Sequence, residues 1–347
     1  MSWSNMKELI KKLSDMRGVS GFEYRITDKI SDILRPYCDE VKIDALGSVI
    51  GVKYCGKKNA PRIMIEAHCD EIGLMVTSVT DEGYLTFTSV GGVDERTLPS
   101  TEVTVHARED LWGVIGIQPA YLLEKGKTVK KKAMAVDTGL DAKKVKELVS
   151  VGDSITLAQS VGEFGDNRFS GKSLDDRACL AAIISVMERL QNTDLNVDVY
   201  AVAAVQEEVG CRGGKTTAYG INPDMAIAID VCHGITPDNS DDAFDIGSGT
   251  VISVGPNLHP KLTDALFETA NNRNIKVNVE VDGGNTGTDA WEIQVARDGI
   301  PTALLSLPLK YMHTSVETLH LSDAAATAEL LAEFIKEQKG DMKWISF

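Results

Sequence analysis

Five short patches carry the residue types that divalent-metal chemistry needs: Ala67-His68-Cys69-Asp70-Glu71, Leu174-Asp175-Asp176-Arg177, Gln206-Glu207-Glu208-Val209-Gly210, Ile229-Asp230-Val231 and Met312-His313-Thr314. Two histidines, several aspartates and a glutamate offer the nitrogen and oxygen ligands that suit zinc, cobalt or manganese. Two ions about 3.5–4 Å apart need a bridging carboxylate. One further carboxylate must stay off the metals to carry protons. The Glu207-Glu208 doublet can meet both needs, one residue ligating and its neighbour acting as base. Each patch alone has a bland explanation. A histidine after a strand is commonly a hydrogen-bonded surface or core residue, and Asp-Asp ahead of a helix is commonly an N-cap with an acidic first turn. The Glu doublet could be an exposed turn and Asp230 a strand terminator. Their conjunction favours metal, because Glu66, Glu208 and Asp230 sit beside or inside runs so apolar that unpaired charge there would be costly. The chemistry expected is metal-assisted hydrolysis.

The elements that must position these residues follow from periodicity. Met6, Leu9, Ile10 and Leu13, and then Ile26, Ile30, Ile33 and Leu34, repeat at helical spacing. Strands are expected near 41–44, 48–54 and 62–67. Between 71 and 165 short β-branched stretches (74–79, 84–90, 102–107, 113–117, 153–158), divided by Gly, Asp and Pro, predict a small β-rich, barrel-like unit with one short helix at 140–149. After Gly171 helices (176–190, 261–272, 322–336) alternate with strands (197–205, 225–231, 275–281, 302–306). The expectation is an α/β fold, a mainly parallel sheet flanked by helices. Residues 1–70 and 166–347 would form the catalytic domain and 71–165 the insertion. In open α/β sheets ligands bind outside the carboxyl ends of strands. Four of the five patches fall at such ends, and Asp175 and Asp176 precede a helix, where its dipole favours anionic side chains.

Composition narrows the class. The formal charge of −15 argues against non-specific binding of nucleic acid. No apolar run approaches the roughly 20 residues of a membrane helix, and the first residues lack the pattern of a secretory signal. Six scattered cysteines without a Cys-x-x-Cys pair suit a reducing cytoplasm. The basic cluster Lys125 to Lys132 reads as a solvated loop. Cys69 and Cys232 read as small spacers, and histidines 106, 233, 259 and 320 as structural.

At the level of motifs the chain resembles the M42 metallo-aminopeptidases. The resemblance rests on Gly18-Val19-Ser20-Gly21-Phe22-Glu23, Ala67-His68-Cys69-Asp70-Glu71-Ile72-Gly73, Leu174-Asp175-Asp176-Arg177, Glu207-Glu208-Val209-Gly210, Met312-His313 and Val316-Glu317-Thr318-Leu319-His320, and so spans nearly the whole chain. It implies a di-zinc-peptidase-like catalytic domain in which Asp175 bridges two ions, zinc or cobalt foremost. His68 and Asp230 would complete one site, Glu208 and His313 the other. It further implies Glu207 as the base that activates a shared water, Asp70 as the group orienting a ligand, and a cis peptide between Asp175 and Asp176. Thr288 and Asp289, in the Gly283–Ala290 loop, would lie near the substrate. Short peptides with a free N-terminus would lose their first residue, and the insertion would join subunits into dimers and then a tetrahedral dodecamer. Two rival readings stand beside this one, the first because some relatives in the family it resembles carry cellulase labels. A metal-independent glycoside hydrolase would use paired carboxylates, yet leaves both histidines without a task and has only Trp112 and Trp291 as internal platforms for sugars. A non-catalytic, metal-stabilised peptide-binding scaffold would have no use for a non-ligating Glu207.

Overall fold

A computed structural model describes residues 3–122, 130–239 and 241–346. An eight-stranded sheet forms its centre, in the spatial order Glu40–Ile43, Val49–Lys53, Asp198–Ala204, Arg62–His68, Met225–His233, Thr302–Leu309, Thr250–Val254 and Val277–Val281. The four strands from Asp198–Ala204 to Thr302–Leu309 run parallel to one another. Antiparallel pairings lie to either side of them. Both faces are covered, so these strands read as unbroken apolar runs. Alternate residues serve opposite cores: Ile63, Ile65, Ile227 and Ile229 face one, and Met64, Val202, Ala226 and Ala228 the other.

Helices Trp3–Ser14, Leu174–Arg189 and Leu321–Glu337 cover the first face. Leu174–Arg189 is buried without a break from Leu174 to Met187, as an all-round apolar helix between sheet and outer helices must be. Helices Arg212–Ile221 and Asp289–Ile293 cover the second face. The first of these was not legible in the sequence, since Gly213 and Gly214 lower its helix propensity. The packing explains both glycines. A Cβ at Gly213 would come within 2.3 Å of the Val205 carbonyl oxygen, and one at Gly214 within 2.5 Å of the Asp289 carboxyl carbon.

Six strands, Gly73–Val79, Leu85–Val90, Ala135–Asp137, Asp110–Gly116, Glu102–His106 and Ser154–Leu157, close into a barrel in that order. Its core is its own, built on Leu74, Val76, Val103, Val105, Val136 and Ile155. The expected short helix is Ala142–Leu148, capped by the Asp141 carboxylate, which accepts the Lys144 N–H at 3.0 Å. Strands Gly162–Phe164, Arg168–Gly171 and Glu317–His320 make a separate three-stranded sheet. Most of the Lys125–Lys132 cluster lies outside the described residues. Among the described residues, no helix is long and apolar enough to cross a membrane.

Candidate active site

The parallel strands deliver their carboxyl ends to one rim, and the five patches meet there. His68 closes the strand Arg62–His68, Asp230 lies near the end of Met225–His233, and His313 follows Thr302–Leu309 by a short loop. Asp175 and Asp176 open the buried helix in non-helical backbone, joined by a cis peptide.

Asp175 stands between the two histidines. Its Oδ1 lies 3.1 Å from His68 Nε2, and its Oδ2 lies 3.2 Å from His313 Nε2. Glu208 Oε1 approaches His313 Nε2 at 3.5 Å. One group of donor atoms that could hold an ion joins His68, Asp175 and Glu208; another joins His68, Asp176 and Asp230. Asp176 is therefore closer to Asp230 than its expected role as a neighbour of the bridging residue implied. It is wholly buried and also accepts the His68 backbone N–H at 3.1 Å.

The supporting groups fix these side chains. His68 Nδ1 is 3.2 Å from the Asp70 carbonyl oxygen, and His313 Nδ1 is 3.1 Å from that of Gly92. A proton donated from each Nδ1 leaves Nε2 with its lone pair toward the cluster, the tautomer a metal ligand needs. The Asp70 carboxylate accepts the backbone N–H groups of Glu207 at 3.1 Å and Glu208 at 3.2 Å, so it positions the doublet as well as His68. Glu317 accepts the N–H of His313 at 3.0 Å and of Asp175 at 3.1 Å, tying two patches together. The sequence motif around Glu317 carries no sign of this role, because the work is done on backbone N–H groups.

Gly92 supports the site only by leaving space, which its residue type does not signal in the sequence. A Cβ there would lie 2.7 Å from His313 Nδ1, so Gly92→Ala is expected to push the ring out of place. Disturbing such a supporting contact weakens metal affinity by about 10- to 100-fold, and a metal titration of the variant, with its thermal melt unchanged, checks this.

Charge makes the fit to divalent cations specific. Among the described residues no Lys or Arg pairs with Asp175, Asp176, Glu208 or Asp230, whose ion-pair partners are at most the two histidines. Burial, and then the Asp175 charge, holds the Glu208 carboxyl well above the usual range. Burial alone does most of this for Asp230, and burial with Asp230 for Asp176. Burial disfavours a charged His68, yet Asp175 and Asp70 outweigh it and raise its pKa well above the usual histidine value. Asp175 goes the other way: burial opposes its charge, but the two histidines lower its pKa. This surplus of carboxylates over cations suits nitrogen- and oxygen-liganded divalent ions.

Glu207 differs from its neighbour. Its Oε1 accepts the Cys211 thiol at 3.2 Å, while its Oε2 faces His68 Nε2 at 3.9 Å. Burial raises its pKa, as a base that must hold a proton part-way through a reaction requires. His68, Asp175, Glu207, Asp230 and His313 line a cavity of about 290 Å³, to which Thr288 and the preceding loop also contribute. Asp289 does not line it. It opens the helix Asp289–Ile293, 2 % exposed, and faces the buried Glu66 behind the site. Burial pushes its pKa up to about 7. His233, expected to be structural, does line the cavity. His106 is held by Asp110 and Thr156 within the barrel. A larger hollow of about 430 Å³, lined by His259 and Thr302 at the amino end of a strand, contains no such cluster.

Similarity to known proteins agrees with the geometry. The family model for the M42 glutamyl aminopeptidases matches residues 47–330. The chain is 36 % identical to the lysyl aminopeptidase of Pyrococcus furiosus, over 96 % of this chain and 97 % of that protein. Its structure superposes on the aminopeptidase APDkam598 of the archaeon Desulfurococcus kamchatkensis with a TM-score of 0.91 at 35 % identity, covering 99 % and 97 % of the two chains. The TET1 peptidase of Pyrococcus horikoshii gives a TM-score of 0.85 at 32 % identity, covering 96 % and 100 %. The chain belongs to the M42 peptidase family and is a hydrolase of peptide bonds.

Proposed function

We propose that this chain is a di-metal aminopeptidase that removes the N-terminal residue of short peptides. The observation that carries the reading is Asp175, each of whose carboxylate oxygens faces a different histidine at 3.1 and 3.2 Å. In this reading His68 and Asp230 would hold one ion, with Asp176 beside them, His313 and Glu208 would hold the other, and Asp175 would be shared between them. Bound divalent ions, zinc or cobalt foremost and manganese also compatible, supply Lewis-acid polarisation and lower the pKa of water.

The remaining work belongs to the protein. Glu207 accepts the proton of the attacking water on Oε2 and returns it to the departing amine. Cys211 holds Oε1, and Asp70 holds the backbone of the doublet, so Oε2 stays aimed at the reacting region. The acid-rich cavity suits the ammonium of a free N-terminus. A short peptide should lose one residue at a time by mass spectrometry and its N-acetylated form none; internal cleavage of both would overturn the assignment.

Protonation gives a second check. Glu208, Asp230 and His68 hold protons above their ordinary ranges in the metal-free protein. Metal binding displaces those protons, so affinity strengthens as pH rises and weakens as it falls. Calorimetry near pH 7 in buffers of differing ionisation enthalpy should register net proton release.

The barrel is proposed as the surface through which subunits pair, building toward a dodecamer. Support comes from the TET1 peptidase of P. horikoshii, which can assemble into a tetrahedron or a large octahedral shell. A cytoplasmic location is supported by six cysteines that are all unpaired.

A further inference from the structure

The family description speaks of glutamyl substrates and the P. furiosus relative of lysyl ones, so names do not decide which N-terminal residue this chain prefers. The cavity does. Beyond Cys232 it continues to Glu280, on the edge strand Val277–Val281, and to Asp282 just past that strand; both line the same hollow as His68, Glu207 and Asp230. Register sets Glu280 beside Ser253, whose hydroxyl donates to Glu280 Oε2 at 3.0 Å. The same hydroxyl also faces Asp282, whose Oδ2 is closed to solvent and has no hydrogen-bond partner. One hydroxyl proton cannot serve two carboxylates. Among the described residues no Lys, Arg or His forms an ion pair with either acid. Burial, then Asp282, raises the pKa of Glu280, and burial raises that of Asp282.

We infer that this end of the cavity receives the side chain of the substrate's N-terminal residue and selects a long cation, Lys or Arg, with Glu280 and Asp282 as the specificity-determining residues. The inference rests on the aminopeptidase reading above. Length matters as well as charge: the acids stand on and just past the edge strand, three strands from Asp230 in the sheet order, so a long cationic side chain brings its charge toward them where a short one does not. A leucine would desolvate the pair without compensating it, and a glutamate would meet like charge.

The test is kcat/KM for Lys-, Arg-, Leu- and Glu-p-nitroanilide with the metal-loaded protein and with Glu280→Gln and Asp282→Asn, both half-exposed positions where folding is not at stake. The wild type should favour Lys and Arg over Leu by about tenfold or more, with Glu poorest. In each variant the Lys-to-Leu ratio should collapse toward one, through a loss of rate on Lys and a gain on Leu. Glu280→Lys should invert the order between Lys and Glu. A wild type that prefers Leu or Glu, or a ratio unmoved in all three variants, overturns the inference and leaves the aminopeptidase reading standing. No cleavage of any free-amine substrate by the wild type overturns both.

Discussion

Glu207→Gln is expected to lower kcat by about 100- to 10,000-fold, the usual worth of a positioned general base, while metal content and thermal stability stay at wild-type levels. The separation of effects follows from the contacts. Glu207 touches the cluster only at 3.9 Å, through Oε2, and its other oxygen is taken by Cys211. Gln keeps the shape and can still accept the thiol, but it cannot take up a proton from water. KM should change little, since the positive end of the substrate is met by other carboxylates. Retention of near-native turnover would remove Glu207 from the mechanism. Loss of metal in step with activity would make it a ligand.

Asp175→Ala should have the opposite signature, with metal and activity disappearing together. Among the described residues Asp175 is the one carboxylate paired with both histidines, and the two histidines favour its ionised form strongly enough to lower its pKa despite burial. Without it, His68 and His313 lose their common partner and each ion would lose a ligand. Since perturbing even a supporting contact costs about 10- to 100-fold in affinity, loss of a shared ligand should exceed that range at both sites. Elemental analysis after gel filtration should then find neither ion, where Glu207→Gln retains both. Survival of one full equivalent would mean that the two sites are held independently of Asp175.

That these patches gather was readable from sequence because it depends on residue type at strand ends, whereas the separate roles of Glu207 and Asp175 came from the family resemblance. His68, Asp230 and His313 follow apolar runs, and the fold rule for parallel sheets gathers their ends. Barrel strands and the long helices were legible for the same reason, through period. Residues that act on backbone or by leaving space were not. Glu317 matters because its oxygens meet the N–H groups of Asp175 and His313, and Gly92 because a side chain there would collide with a ligand. Arg212–Ile221 carries glycines that argue against helix locally, and only its packing on Val205 and Asp289 explains them. The strand Ala135–Asp137 is three residues long, too short for a two-residue period to stand out. Asp289 has the composition of a substrate-loop residue, yet as the first residue of a helix it turns inward to Glu66. Glu280 and Asp282 look like ordinary edge-strand acids until the sheet order brings them to the wall of the same cavity.

The most direct measurement is hydrolysis of aminoacyl-p-nitroanilides and their N-acetylated counterparts after chelation, and again after zinc, cobalt or manganese is restored. The account predicts no turnover after chelation, recovery on adding metal, and cleavage of the free-amine substrates alone. Turnover that survives chelation, or equal cleavage of the acetylated substrates, would contradict it.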